Sequence, residues 1–172
     1  MQMKLMCLVA VASVWVVTIG ASNAAASTIW PYQNHVSAGI TLQAHYGDRK
    51  WGFGLGAEVS VLKGYRDFET PIGWFGGVLG AHWIFAHREL RIYVEGEAVG
   101  GPLMSLGAGP YLSLGNEGIG GGVQSTVSFW PVVIIFARPS IAFTGDFEID
   151  LGGMLKAPVY GWNDDGPSPP FW

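Results

Sequence analysis

The feature that most constrains this chain is an alternation of apolar with small or polar residues, repeated from about residue 35 to about residue 160. Positions 36, 38, 40, 42, 44 and 46 read Val, Ala, Ile, Leu, Ala and Tyr, with Ser37, Gly39, Thr41, Gln43 and His45 between them. Positions 51 to 61, taken in steps of two, read Trp, Phe, Leu, Ala, Val and Val, against Gly52, Gly54, Gly56, Glu58 and Ser60. Successive side chains of a strand point to opposite faces, so a period of two is a strand signature.

Six further segments carry the same signal. Phe75, Leu79, Ala81, Trp83 and Phe85 oppose Trp74, Gly76, Val78, Gly80 and His82. Leu90, Ile92, Val94 and Ala98 oppose Arg91, Tyr93, Glu95 and Glu97. Leu106, Ala108, Pro110, Leu112 and Leu114 oppose Gly107, Gly109, Tyr111 and Ser113. Ile119, Val123, Val127 and Phe129 oppose Gly120, Gly122, Gln124, Thr126 and Ser128. Val133, Ile135, Ala137, Ile141 and Phe143 leave Arg138 on the other side, and Phe147, Ile149, Leu151 and Leu155 oppose Glu148, Asp150, Met154 and Lys156. The total is about eight strands of about ten residues, long enough to cross a bilayer at a tilt. Turn-forming residues part them at 47–48, 86–89, 100–102, 115–118, 130–131 and 144–145, and only the stretch 62–71 is longer.

The distribution of charge says which face meets what. The apolar set holds no charged residue until Lys63, at a strand end, whereas the opposite set holds Glu58, His82, Arg91, Glu95, Glu97, Arg138, Glu148, Asp150 and Lys156. A soluble barrel places its charge outside and would fill that face with Lys, Glu and Thr. Here glycine fills it, which suits an interior where backbones and long side chains approach closely. Only 13% of residues are charged, about half the share usual for a soluble domain. The polar face therefore reads as a lumen and the apolar face as lipid-facing.

Aromatic placement agrees. In an up-and-down meander Tyr46, Trp51, Trp83, Phe85, Phe143 and Phe147 fall at one rim. Trp30, Tyr32, Tyr65, Phe68, Phe129, Trp130, Tyr160 and Trp162 fall at the other. Membrane interfaces select two such girdles.

The N-terminus reads as a secretory signal. Lys4 precedes an uncharged apolar run over residues 5–20, and Ser22-Asn23-Ala24 and Ala24-Ala25-Ala26 fit the small-x-small rule. Cleavage is expected after Ala26. The one cysteine, Cys7, lies inside this signal, so the mature chain has no disulfide. No later apolar run reaches 18 residues, so any later membrane crossing is made by strands. The expected organisation is a signal peptide over 1–26, a lead-in over 27–34, a β-barrel over 35–160 and a Pro-rich tail over 161–172.

Over residues 35–160 the chain resembles the small eight-stranded outer-membrane β-barrel proteins as a class. Gly107-Ala108-Gly109-Pro110-Tyr111-Leu112-Ser113-Leu114-Gly115 is its most characteristic segment. The resemblance implies an all-β fold, a transmembrane antiparallel up-and-down barrel of Gram-negative type located in the outer membrane. Its expected partners are outer-membrane lipid, periplasmic chaperones and the barrel-assembly machinery, with the protein a monomer. The chain departs from that class in two ways. Gly166-Pro167-Ser168-Pro169-Pro170 precedes the final Phe171-Trp172 and cannot be a central strand. An assembly signal fits better inside the last strand, as Asp150-x-Gly152-x-x-Leu155-x-Ala157. Nearly every connection is also short, where outer-membrane barrels carry long external loops.

No motif for catalysis stands out, and the chain reads as non-enzymatic. Glu95 with Glu97 and Glu148 with Asp150 lie two residues apart on the lumen face, which places their carboxylates roughly 7 Å apart. Arg91, Arg138 and Lys156 share that face, so an internal salt-bridge network is the reading preferred over an ion path or an acid pair for catalysis. Glu58 and His82 apart, the charges fall on the fourth, seventh and eighth strands, and the second, third, fifth and sixth offer mostly glycine and serine. Long side chains from one wall are thus expected to fill space left by glycine on the other. His82 with Ser60, Ser113 or Ser128 could form a hydrolase pair of the lipid-modifying kind, but no motif places them, and a neutral hydrogen-bonding lumen histidine is the preferred reading. His45 and His87 approach one rim without metal-ligand spacing. The run Gly120-Gly121-Gly122 precedes no helix, so it is no phosphate cradle. Neither metal nor cofactor is expected, and the scattered Lys and Arg give no basic patch for nucleic acid. The function expected is structural or weakly pore-forming; the alternatives are a lipid-modifying outer-membrane enzyme and a soluble periplasmic carrier barrel.

Overall fold

In the computed structural model the described residues are 34–65, 73–100, 104–116, 118–129 and 134–162, with side chains described for all of these except Tyr65. The signal peptide, residues 27–33 of the lead-in and the tail beyond Trp162 lie outside them, as do Trp30, Tyr32, Phe68 and Trp130.

Each alternating segment is a strand. They are β1 (Asn34–Gly47), β2 (Lys50–Tyr65), β3 (Gly73–Ile84), β4 (Glu89–Gly100), β5 (Met104–Gly115), β6 (Gly118–Phe129), β7 (Ile134–Ala142) and β8 (Phe147–Trp162). Every strand pairs antiparallel with its sequence neighbour, and β8 pairs with β1 to close the barrel. Closure removes the sheet edges that an open sheet of this apolar character would expose.

Register fixes the stagger of the wall. Partners followed from Asn34 through Lys63, Phe75, Ala98, Leu106, Val127, Ala137 and Leu151 return to β1 at Ala44, ten residues (44 against 34) from the start. A stagger of this kind is what tilts strands against a barrel axis. The β1–β2 turn is tight: Gly47 pairs Lys50, and Asp48 and Arg49 between them take φ of 49° and 61°. Two positive φ values match a primed turn, whose twist suits a hairpin.

Prolines leave local marks, because each lacks an N–H for the ladder. Pairing of β4 with β5 lapses between Tyr93↔Tyr111 and Gly96↔Ala108, beside Pro110. Pairing of β6 with β7 lapses between Gln124↔Ser140 and Val127↔Ala137, beside Pro139. Opposite Pro158 the β1–β8 register shifts between Val36 and Ser37, and Val159 is the extra residue of a bulge. The bulge has a specific effect: strict alternation would place Tyr160 with Lys156 on the inner face, and the inserted residue turns Tyr160 outward.

Candidate functional site

The inner face of the barrel holds the site. Glu58, His82, Arg91, Glu95, Arg138 and Asp150 point inward and are buried. Glu97, Glu148 and Lys156 share that face, half-buried. The structure joins them to partners that their spacing in sequence did not indicate.

Three cross-strand pairs build the lumen from its wall inward. Gly80 faces Tyr93, Gly122 faces Tyr111 and Gly152 faces Phe136 in direct register. A Cβ at any of the three glycines would run into the partner's ring. Each aromatic thus lies flat over the glycine of the next strand, not over the opposite wall as the asymmetry of the sequence suggested. The rings in turn carry cations. Arg138 lies 4.3 Å over Tyr93 and 4.9 Å from the Phe136 ring, and Arg91 lies 4.3 Å over Tyr111. Such contacts are worth about 2 kcal/mol or more away from water.

Arg138 crosses the lumen from β7. Its Nε donates to Thr126 Oγ1 at 2.9 Å and lies 3.6 Å from Glu95, and its Nη2 donates to Glu58 at 3.5 Å. Glu58 also accepts from the Tyr93 hydroxyl at 2.9 Å and from Lys156 Nζ at 2.8 Å. Glu95 accepts from Gln124 at 2.7 Å and from the Thr126 hydroxyl at 2.8 Å. Lys156 reaches Glu97 at 3.8 Å. One guanidinium therefore ties together β2, β4, β6 and β7.

A second cluster lies nearer the β3–β4 and β7–β8 turns. Arg91 bridges Glu89 at 2.8 Å and Glu148 at 2.9 Å. Ser140 and Tyr111 hydroxyls also donate to Glu148, at 3.3 and 3.5 Å. His45 Nδ1 donates to Asp150 at 2.7 Å, and His82 Nε2 lies 3.8 Å from the same carboxylate. His45 and His87 rings meet edge to face at 5.2 Å. Among the described residues no group of ligands suited to a metal ion is found, and neither ring nitrogen of His82 hydrogen-bonds a serine.

Tyr93, Tyr111, Gln124, Thr126 and Glu89 were absent from the charge pattern. The tyrosines were visible as inward residues, but their hydroxyl partners sit on other strands. Glu89 fell among turn-forming residues, whereas it opens β4 and faces Arg91. Along the wall of β1 to β3, Thr41, Gln43, Ser60 and His82 are buried with polar atoms that have no protein partner among the described residues.

The outer face is the inverse. Ile40, Leu55, Val59, Leu79, Val94, Leu112, Ile135 and Leu155 are all exposed, Leu79 by 57%. Among the described strand residues only Lys63, near the end of β2, and Lys50, at its first position, are charged and exposed. Near the β1–β2 and β3–β4 turns Tyr46 packs on Trp51 at 5.0 Å and Phe53 on Phe85 at 6.1 Å. At the same rim Trp83, Phe143 and Phe147 are likewise exposed. At the other rim Phe129 is exposed and Tyr160 packs on Trp162 at 5.8 Å.

The fold and interior define a closed eight-stranded antiparallel up-and-down barrel with an ion-paired lumen and an apolar exterior. In comparisons with known proteins, no family model and no curated protein matches the chain.

Proposed function

We propose that the protein is an outer-membrane β-barrel of Gram-negative type, structural or weakly pore-forming, delivered by its N-terminal signal. One observation carries this reading: large apolar side chains cover the outside of the strands while the charges sit within. In water such an exterior would associate or precipitate; in a bilayer it is the ordinary lipid-facing band. A carrier barrel in the periplasm needs the opposite arrangement.

The interior supports low conductance. Arg138, Tyr93 and Glu58 occupy the middle of the lumen, and eight strands leave little more room than side chains fill. The buried polar strip of Thr41, Gln43, Ser60 and His82 favours some hydration, because such groups need water where protein offers no partner.

Expression with the native leader in a Gram-negative host, followed by membrane fractionation and heat-shifted gel mobility, tests the location. The protein is expected in the outer-membrane fraction with a compact unheated form; recovery as a soluble periplasmic protein would overturn the reading. Planar-bilayer recordings test the lumen: little current is expected from the parent and more when Arg138 and Glu95 are neutralised together.

A further inference from the structure

The sequence scatters its nine Lys and Arg residues, and the fold sorts them. Arg91, Arg138 and Lys156 are committed to lumen carboxylates. Lys63 lies near the far end of β2, and Lys4 and Arg66 fall outside the described residues. The remaining three, Arg49, Lys50 and Arg88, gather at one sector of one rim. Backbone N–H of Phe85 donates to Phe53 at 2.9 Å, and a Cβ on Gly52 would touch Ala86 at 2.9 Å and His87 at 3.8 Å. The β3–β4 turn therefore lies against the start of β2, beside the β1–β2 turn.

All three side chains are exposed, and none forms an ion pair with a described residue. Glu89, next to Arg88, is turned inward to Arg91, which leaves Asp48 as the one carboxylate in these two turns. The other connections at this rim carry Glu117 and Asp146 and no cation. Beside the cations, exposed on the outside of β2 and β3 and at the start of the β3–β4 turn, lie Trp51, Phe53, Trp83 and Phe85. A cationic rim over an aromatic and aliphatic wall matches an amphiphile with an anionic head and acyl chains.

We infer that Arg49, Lys50 and Arg88, with the wall of Trp51, Phe53 and Phe85, form a docking surface for the phosphate headgroup of an anionic membrane lipid. This rests on the membrane reading above. Two conformational facts favour a fixed surface: Asp48, Arg49 and Arg88 hold positive φ, so both turns have a defined path, and Phe53 and Phe85 stack.

The test uses the mature protein in nanodiscs of phosphatidylcholine with a minority of phosphatidylglycerol, released and weighed by native mass spectrometry. Phosphatidylglycerol is expected to be retained above its share of the bilayer. Removal of each cation should lower that preference by about fivefold. Arg49→Asn, Lys50→Gln and Arg88→Asn remove the charges, and Asn tolerates the turn conformation. Lys63→Gln is the matched control and should change nothing. Inorganic phosphate should not displace the lipid, since it has no chains to meet the aromatic wall; displacement by phosphate would reduce the surface to an ion site and overturn the lipid assignment. Unchanged preference in the triple variant, with compact gel mobility retained, overturns this inference and leaves the membrane reading standing. Failure of the parent to enter nanodiscs overturns both.

Discussion

The guanidinium of Arg138 lies 4.3 Å over the ring of Tyr93, and that ring's hydroxyl donates to Glu58 at 2.9 Å. Arg138 and Tyr93 thus meet face to face above Gly80 and share one carboxylate. The pair converts three wall positions on β2, β3 and β4 into support for a cation that arrives from β7.

Replacing Arg138 with Met is expected to destabilise the barrel by about 3–5 kcal/mol, the usual cost of leaving a buried countercharge unpaired. Glu95 stands to lose most, since Glu58 keeps Lys156 and Tyr93. The double variant R138M/E95Q should recover part of the loss. Denaturant titration of the protein in detergent micelles measures both, and parent-like stability of R138M would rule out a supporting role.

Gly80→Ala should disturb the lumen far more than Gly96→Ala. A Cβ at Gly80 meets the Tyr93 ring, while one at Gly96 meets nothing within 4 Å. Overpacking of this kind typically costs about 1–3 kcal/mol. The contrast is read as the temperature at which the compact gel form is lost, with G80A clearly lower and G96A close to the parent.

Leu79→Arg separates a lipid-facing wall from a water-facing one. Leu79 sits mid-strand, exposed, between Val59 and Val94. In a bilayer the charge should cost about 2–4 kcal/mol; on a water-facing surface it would cost almost nothing. Unfolding from phosphatidylcholine vesicles gives the number.

How far the sequence could be read follows from what each feature depends on. Facing is local, so the side taken by Glu58, Arg138 or Leu79 follows from parity alone. Contacts depend on register between strands, and nothing near Tyr93 in the chain announces Gly80 beneath it or Glu58 beside it. Glu89 was hidden for a different reason: it follows a turn and looks like part of one, though its carboxylate is held by Arg91. Tyr160 shows parity itself failing, because the bulge at Val159 reverses its side. Pro158 was the available hint, since proline in an enclosed strand favours such an irregularity.

Deleting Val159 should therefore be tolerated about as well as replacing it with Ala. Without the extra residue Pro158 still meets Ser37 and Tyr160 still meets Val36, so Tyr160 stays outside against Trp162, which packs on it at 5.8 Å. Both variants should retain the compact gel form and parent-like tryptophan emission; loss of either on deletion would show that the strand needs the bulge itself.

The seam between β1 and β8, running from Asn34↔Trp162 to Tyr46↔Ile149, joins the two most distant strands in sequence. Until β8 is in place, β1 presents an open row of backbone donors and acceptors, and the lumen lacks Asp150 and Lys156. A chain interrupted before its last strand can neither close its wall nor neutralise its interior. The barrel in effect counts its own strands, and only a polypeptide complete through Trp162 reaches a state from which escape is slow.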